Sequence, residues 1–175
     1  MPLRADALER LNQWERSCTR RLNEGVSIRP VRVLFRAVSR LGNGALWYVL
    51  MIALCAAGRP GLEAAARMAA AGAVGLLAYK LLKAGMPRPR PYRVIAGIRA
   101  GIDPLDVFSF PSGHTLHAVA FTIIAVAYFP PLAWALVPFT LLVAVSRVVL
   151  GLHYPSDVLA GAAIGAGIAE AALLL

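Results

Sequence analysis

Three polar clusters lie at the ends of apolar runs and contain residues that could bind and transfer a phosphoryl group. The first extends from Lys83 to Pro91, the second from Pro111 to His114, and the third from Ser146 to Asp157. Lysine and arginine bind anions, and the forked donors of arginine suit phosphate oxygens. Imidazoles titrate near neutral pH and can serve as nucleophile, acid or base. The clusters together predict phosphate chemistry that depends on histidine.

The second cluster predicts an anion cradle at the beginning of a helix. Ser112 is a favourable N-cap residue, so the backbone N–H groups near Gly113 and His114 should point outward. Gly113 has no side chain to keep an anion away from the backbone. The third cluster offers a histidine with an orienting carboxylate. If Pro155 and Ser156 open a helix, Asp157 lies in its first turn and can reach back to one nitrogen of His153, leaving the other nitrogen free to attack.

Composition indicates an integral membrane protein. The chain has 175 residues, of which 59% are hydrophobic and 15% charged, whereas soluble domains carry about 25% charged residues. The net charge of +9 fits nucleic acid, anionic lipid or a phosphorylated substrate, and the hydrophobicity favours the last two over nucleic acid. The two cysteines have no metal-binding spacing. Nothing in the sequence indicates an oligomeric state.

Two amphipathic helices are predicted in residues 1–40. In the second, arginines recur at helical spacing (Arg29, Arg32, Arg36 and Arg40) opposite an apolar face. This pattern suits a helix in the membrane interface, and it equally suits a helix that covers the protein's own surface.

Five apolar runs follow in residues 41–175, which we expect to form one transmembrane domain. The predicted spans are 41–58, 62–82, 112–129, 132–150 and 156–175. The fold class is therefore an all-α membrane bundle of about five helices. Gly161 and Gly165 form a G-x-x-x-G pattern, which indicates close helix packing or reflects only an alanine-rich composition.

The order of the predicted membrane spans places all three clusters on the same side of the membrane. The first cluster ends the second run, the second begins the third run after a proline-rich loop, and the third joins runs four and five. A single arginine or histidine could merely lie at the interface, but seven ionisable or polar residues on one face indicate a functional site. Asp103 and Asp106, in the proline-rich loop, fit solvated loop charges better than substrate contacts, and His117 fits core packing better than a supporting role.

The clusters resemble the signature motifs of the type 2 phosphatidic acid phosphatase superfamily. Its pattern reads K-x6-R-P, then P-S-G-H, then S-R-x5-H-x3-D, and this sequence meets every position within about residues 80–160. The resemblance implies a helical bundle and a metal-free reaction without a cofactor. It implies that His153 attacks phosphorus and forms a phosphohistidine, that His114 protonates the leaving oxygen and then activates water, and that Asp157 orients His153. The implied phosphate ligands are Lys83, Arg90, Ser112, Gly113 and Arg147.

The favoured hypothesis is a phosphohydrolase acting on a lipid phosphate or diphosphate in the bilayer. Polyprenyl diphosphate, phosphatidylglycerophosphate and phosphatidic acid remain open as substrates. One alternative is a lipid phosphotransferase that uses the same residues, and another is a non-catalytic lipid-binding or transport protein.

The expected location is the bacterial cytoplasmic (inner) membrane, but the side of the active site stays open. Five spans place the N-terminal segment on the same side as the three clusters. Its nine arginines indicate the cytoplasm by the positive-inside rule, whereas the resemblance implies an outer-face site for many relatives.

Overall fold

The computed structural model describes residues 2–104 and 106–175, without the side chains of residues 2–8. Its longer helices are α1 (Pro2–Asn23), α2 (Arg29–Arg40), α3 (Leu46–Cys55), α4 (Gly58–Gly85), α6 (Gly113–Tyr128), α7 (Ala133–Val149) and α8 (Pro155–Leu174), with one short helix, α5 (Pro91–Val94). Within the described residues the fold is all-α, and an isolated bridge between Pro89 and Phe108 closes the proline-rich loop.

All five predicted spans have counterparts in these helices. Four described segments are long and apolar enough to cross a membrane: Arg29–Cys55, Gly58–Gly85, Pro130–Val149 and Pro155–Leu174. The fifth, α6, is apolar but has only 16 residues, or roughly 24 Å of helix. Large apolar side chains such as Ile52, Leu77 and Trp134 remain exposed on the outside of the bundle, where lipid would cover them.

The first span differs from its predicted beginning at residue 41. α2 continues into α3 through a wide helical turn, Leu41–Ala45, in which Gly44 has a φ of 128°. That left-handed conformation is open to glycine at little cost, and the backbone departs from helical geometry at Asn43 and Gly44, so that α2 and α3 meet at a kink. The division into residues 1–40 and 41–175 therefore falls at a bend, and it stays a prediction.

The short central helix α6 is enclosed by α4, α7 and α8. Leu116, Ala118 and Ile124 on α6 are fully buried. A Cβ added to Gly161 would lie 2.5 Å from the carbonyl oxygen of Ser112, and one added to Gly165 would clash with that of Leu116. The predicted close packing at these glycines is confirmed, and it holds the beginning of α6 against the beginning of α8.

The N-terminal helices lie at the end of the bundle where α4 ends and α8 begins. The polar face of α1, formed by Glu15, Thr19 and Asn23, is buried, whereas Leu11 and Trp14 are exposed. The Asn23 side-chain amide donates 2.9 Å hydrogen bonds to the carbonyls of Arg99 and Val149. α1 thus turns its polar side to the protein and its apolar side outward.

The arginine face of α2 serves the protein's own surface in part. Arg32 donates to the carbonyl of Val26 at 3.0 Å, and Arg36 donates to the carbonyl of Gly101 in the proline-rich loop. Arg29 and Arg40 are exposed and could face lipid phosphates. The interpretation of a helix that covers the protein's own surface is therefore confirmed for Arg32 and Arg36, and the interpretation of a helix in the membrane interface stays a prediction.

Candidate active site

The three polar clusters converge at one end of the bundle around a cavity of about 440 Å³. The chain folds this way locally because α6 and α8 begin, and α4 and α7 end, on the same side. The polar part of the lining includes Lys83, Arg90, Asp106, Gly113, His114, His117 and His153, and the apolar part includes Trp47, Met51, Met68, Leu76 and Phe121. A charged head and an apolar chain could therefore occupy the same cavity.

His153 is buried and presents one ring nitrogen towards Arg90. The distance from its Nε2 to the Arg90 Nη1 is 3.1 Å. A guanidinium can only donate hydrogen bonds, so Nε2 is the acceptor and carries a lone pair, and the proton of the neutral ring lies on Nδ1. Burial, followed by the positive charges of Arg147, Arg90 and Lys83, lowers the pKa of His153 well below its ordinary value. The ring is therefore a neutral base whose unprotonated Nε2 lies at the site and accepts from Arg90.

Asp157 lies behind His153, in the first turn of α8 as predicted. Its Oδ2 accepts a 2.8 Å hydrogen bond from the backbone N–H of Tyr154 and is 3.7 Å from the His153 Nδ1. This separation exceeds a hydrogen bond, and Nδ1 has no partner among the described residues. Catalytic hydrogen bonds are often long in ligand-free sites and shorten when substrate binds.

Lys83 and Arg90 are held together by the carboxylate of Asp106. The Asp106 Oδ1 is 2.7 Å from the Lys83 Nζ and 2.7 Å from the Arg90 Nη2. Burial alone would raise the pKa of Asp106, but the hydrogen bonds and charges of Lys83 and Arg90 outweigh it and lower that pKa. The expectation of a solvated loop charge is wrong for Asp106, because the loop folds back onto the cations. Asp103 is exposed, as expected.

The beginning of α6 brings Gly113 and His114 to the cavity, but it buries Ser112. Ser112 occupies the predicted N-cap position without a side-chain cap. Its hydroxyl is 2.9 Å from that of Thr115, and its backbone N–H donates to the Asp157 carbonyl at 3.0 Å. The first turn of α6 therefore offers backbone N–H groups at Gly113 and His114, while the serine side chain points elsewhere.

Arg147 is buried beside the site without lining the cavity. Its Nη1 donates to the hydroxyl of Ser39 on α2, and its Nε has no hydrogen-bond partner among the described residues. Its charge nevertheless acts on His153. An unpaired buried donor is costly, so Arg147 has donor capacity left for an incoming anion.

His117 lies one turn beyond His114 and lines the same cavity. Its two ring nitrogens are 2.8 Å and 3.2 Å from the carbonyl oxygens of Gly113 and Gly72. A neutral imidazole carries one N–H and can donate to one of these two carbonyls at a time, so His117 lies between the beginning of α6 and α4 and supports the site in addition to packing.

Sequence reasoning missed two charged residues of the site. Arg88 bonds to Asp157, with 2.8 Å between its Nη1 and the Asp157 Oδ1, and it also contacts Glu15 of α1. The position of Arg88 in the R-P-R-P stretch of the first cluster could have indicated a role at the site. The four-residue spacing of Glu15, Thr19 and Asn23 could have indicated a polar face on the first helix.

The described part of the chain contains no group of three or more histidine, cysteine, aspartate or glutamate residues placed to hold a metal ion. The charges that face the cavity are instead the cations of Lys83 and Arg90 and the carboxylate of Asp106.

Comparison with known proteins identifies the family. The PAP2 superfamily model matches residues 44–175. The decaprenylphosphoryl-5-phosphoribose phosphatase of Mycobacterium tuberculosis is 35% identical over 133 residues, which are 75% of this chain and 72% of that protein.

Two solved structures share the fold. Aquifex aeolicus LpxE superposes with a TM-score of 0.79 at 25% identity, covering 91% of this chain and 94% of that one. The PAP2-type phosphatidylglycerolphosphate phosphatase of Bacillus subtilis superposes with a TM-score of 0.69 at 25% identity, covering 90% and 83%. Together with the convergence of the three polar clusters, these matches show that the chain belongs to the PAP2 superfamily and is a membrane-embedded phosphatase of that family.

Proposed function

We propose that this protein removes a phosphate from a membrane lipid phosphate or diphosphate by way of a phosphohistidine at His153. One observation carries the proposal: the unprotonated Nε2 of a buried histidine lies 3.1 Å from Arg90, which shares a carboxylate with Lys83 at the polar end of a lipid-compatible cavity. Nucleophile and anion site are therefore adjacent.

The reaction takes place in two steps. Once Arg90 turns from the His153 Nε2 to the phosphate, the lone pair of Nε2 forms a bond to phosphorus while the bond from phosphorus to the lipid oxygen breaks, and His114 gives that oxygen a proton. His114 then takes a proton from water, the water oxygen attacks phosphorus, and the phosphorus–nitrogen bond breaks to release inorganic phosphate. Asp157 stabilises the charge that develops on the imidazole by accepting from Nδ1.

The phosphate oxygens are held by positive charge and by the helix terminus. The phosphate of the substrate replaces the Asp106 carboxylate as the partner of Lys83 and Arg90, and Gly113 offers its backbone N–H to the phosphate oxygens. Arg147 supplies its free donor, and Ser112 contributes after its hydroxyl rotates away from Thr115. These ligands balance the phosphate charge, so the reaction proceeds without a metal.

The substrate class follows from the apolar part of the cavity. Trp47, Met51, Met68 and Leu76 extend from the phosphate site between α3 and α4, where a prenyl or acyl chain in the bilayer can enter. The Mycobacterium tuberculosis relative is named for a phosphorylated polyprenyl lipid, which favours a polyprenyl phosphate or diphosphate over a glycerophospholipid phosphate. The proposed location is the bacterial inner membrane.

The test is phosphate release from polyprenyl and glycerolipid phosphates in detergent micelles containing EDTA. The unaltered protein should be active, and His153→Ala should release phosphate at least about 10³-fold more slowly, with an unchanged melting temperature. Thin-layer chromatography of the lipid products distinguishes hydrolysis from transfer to another lipid. Full activity of His153→Ala, or a strict metal requirement, would contradict the proposal.

A further inference from the structure

Glu15 is a buried carboxylate of α1 that reaches the catalytic end of the bundle. Only 2% of its surface is exposed. Its Oε2 is 2.7 Å from the Arg88 Nη2, and its Oε1 accepts a 2.9 Å hydrogen bond from the backbone N–H of Ser156 in the first turn of α8. One side chain from the N-terminal segment therefore holds both an arginine and the beginning of the helix that carries Asp157.

Arg88 transmits this contact to the carboxylate behind the nucleophile. Its Nη1 donates to the Asp157 Oδ1 at 2.8 Å and to the Ser156 hydroxyl at 2.7 Å, and its guanidinium lies 3.9 Å from the centre of the Tyr154 ring. The guanidinium is thus fixed between two carboxylates and an aromatic face. Asp157 in turn uses its other oxygen towards Tyr154 and His153.

We propose that Glu15 is a positioning residue for the reaction, acting through Arg88 and Asp157 on His153. This inference rests on the proposed role of His153 as the nucleophile. Glu15 draws one side of the guanidinium towards α1, so that Arg88 shares its charge between two carboxylates. Without Glu15, Arg88 turns fully to Asp157, and the Asp157 carboxylate is pulled away from the His153 Nδ1, which is already 3.7 Å distant. α1 is then a part of the active site.

The alternative is a purely structural role, in which Glu15 only attaches α1 to the bundle. Thr19 and Asn23 share its buried face, and Asn23 already binds the end of α7. Attachment alone predicts a loss of stability with little change in the rate of the folded enzyme. Positioning predicts a change in kcat at constant KM, because Glu15 lies away from the cations that bind phosphate.

The experiment compares Glu15→Gln with Glu9→Gln in the full-length protein. Glutamine retains an oxygen for the Ser156 N–H and loses the ion pair to Arg88, whereas Glu9 is exposed on the same helix and accepts a hydrogen bond from Gln13. Glu15→Gln should lower kcat about tenfold, as expected for the loss of an outer partner, with KM within about twofold. Glu9→Gln should leave both constants and the melting temperature unchanged.

A double variant tests whether the effect passes through Arg88. If it does, Glu15→Gln should reduce kcat no further when it is added to Arg88→Gln. Unchanged kcat in Glu15→Gln, or reductions that multiply in the double variant, would overturn the inference. If Glu15→Gln does not fold, Glu15→Asp, which retracts the carboxylate from Arg88, must lower kcat at constant KM, and an unchanged kcat overturns the inference equally.

His153→Ala, measured alongside, distinguishes this inference from the proposed function. An active His153→Ala refutes the phosphohistidine mechanism itself. An inactive His153→Ala with an unaffected Glu15→Gln refutes only the role of Glu15.

Discussion

Replacing Gly161 by alanine should separate the two helices that carry the reacting groups. An added Cβ would lie 2.5 Å from the Ser112 carbonyl oxygen, whereas a carbon and an oxygen normally approach to about 3.3 Å. α8 must therefore move by roughly 1 Å relative to the beginning of α6. The contact on the opposite side is backbone and cannot give way by changing a rotamer.

That displacement acts directly on the catalytic geometry. The Ser112 N–H to Asp157 carbonyl bond of 3.0 Å joins the same two helix ends, one carrying His114 and the other following His153. A misplacement of about 1 Å can cost about 10²-fold in rate, and overpacking of this kind destabilises by about 1–3 kcal/mol. Gly161→Ala should show both losses.

The assay is phosphate release in micelles together with thermal unfolding, and Gly167→Ala is the matched control. Gly167 is on the same helix, and a Cβ there would have no neighbour within 4 Å. The control should retain activity within about twofold and gain up to about 1 kcal/mol of helix stability. Unaltered activity in Gly161→Ala would refute the reasoning that the contact between α6 and α8 sets the site.

Three further predictions concern charge, pH and packing. Asp106→Asn should strengthen inhibition by vanadate about twofold to fivefold, because the Asp106 carboxylate competes with the anion for Lys83 and Arg90 and a partly exposed ion pair contributes about 1 kcal/mol or less. Asp103→Asn is the control. Equal or weaker inhibition of Asp106→Asn would show that Asp106 does not compete with the anion. Since burial and neighbouring cations lower the pKa of His153, its nucleophilic neutral form persists as pH falls, so the acid limb of kcat/KM should have its midpoint below the ordinary histidine value of about 6.5. An acid-limb midpoint at or above that value in a pH–rate profile would contradict this prediction. Trp47→Ala should lower the free energy of unfolding by about 3–5 kcal/mol, because Trp47 is buried against Phe121 and Phe139. Trp134, which is 89% exposed, is the control and should tolerate alanine. Similar melting temperatures for the two variants would contradict the role of Trp47 in the core.

The sequence predicted the convergence of the site because short-range rules sufficed for it. The number of membrane crossings between the clusters placed the ends of α4 and α7 and the beginnings of α6 and α8 on one side, and proline and serine marked the helix beginnings. The spacing from His153 to Asp157 then gave their approach, since both flank the beginning of one helix. The order of the apolar runs predicted the bundle, and Gly161 and Gly165 predicted close helix packing, although not that their partner would be α6.

The missed contacts depend on chain segments that are far apart in sequence. Glu15 and Arg88 are separated by 73 residues, and no local pattern pairs them. The amphipathic pattern of residues 1–40 did not show which face of α1 packs on the protein, because exposed apolar residues of a membrane protein can face lipid while the polar face packs inward. Asp106 was misjudged because the fold of the proline-rich loop, and hence its approach to Lys83 and Arg90, cannot be derived from periodicity.

Identification of the phosphorylated residue tests the central claim most directly. A lipid phosphate labelled in its phosphoryl group is mixed with the protein, the reaction is stopped under denaturing alkaline conditions that preserve phosphohistidine, and the peptides are analysed by mass spectrometry. The label should be on His153 in the unaltered protein and absent from His153→Ala. A label on another residue, or turnover that persists in His153→Ala, would contradict the account.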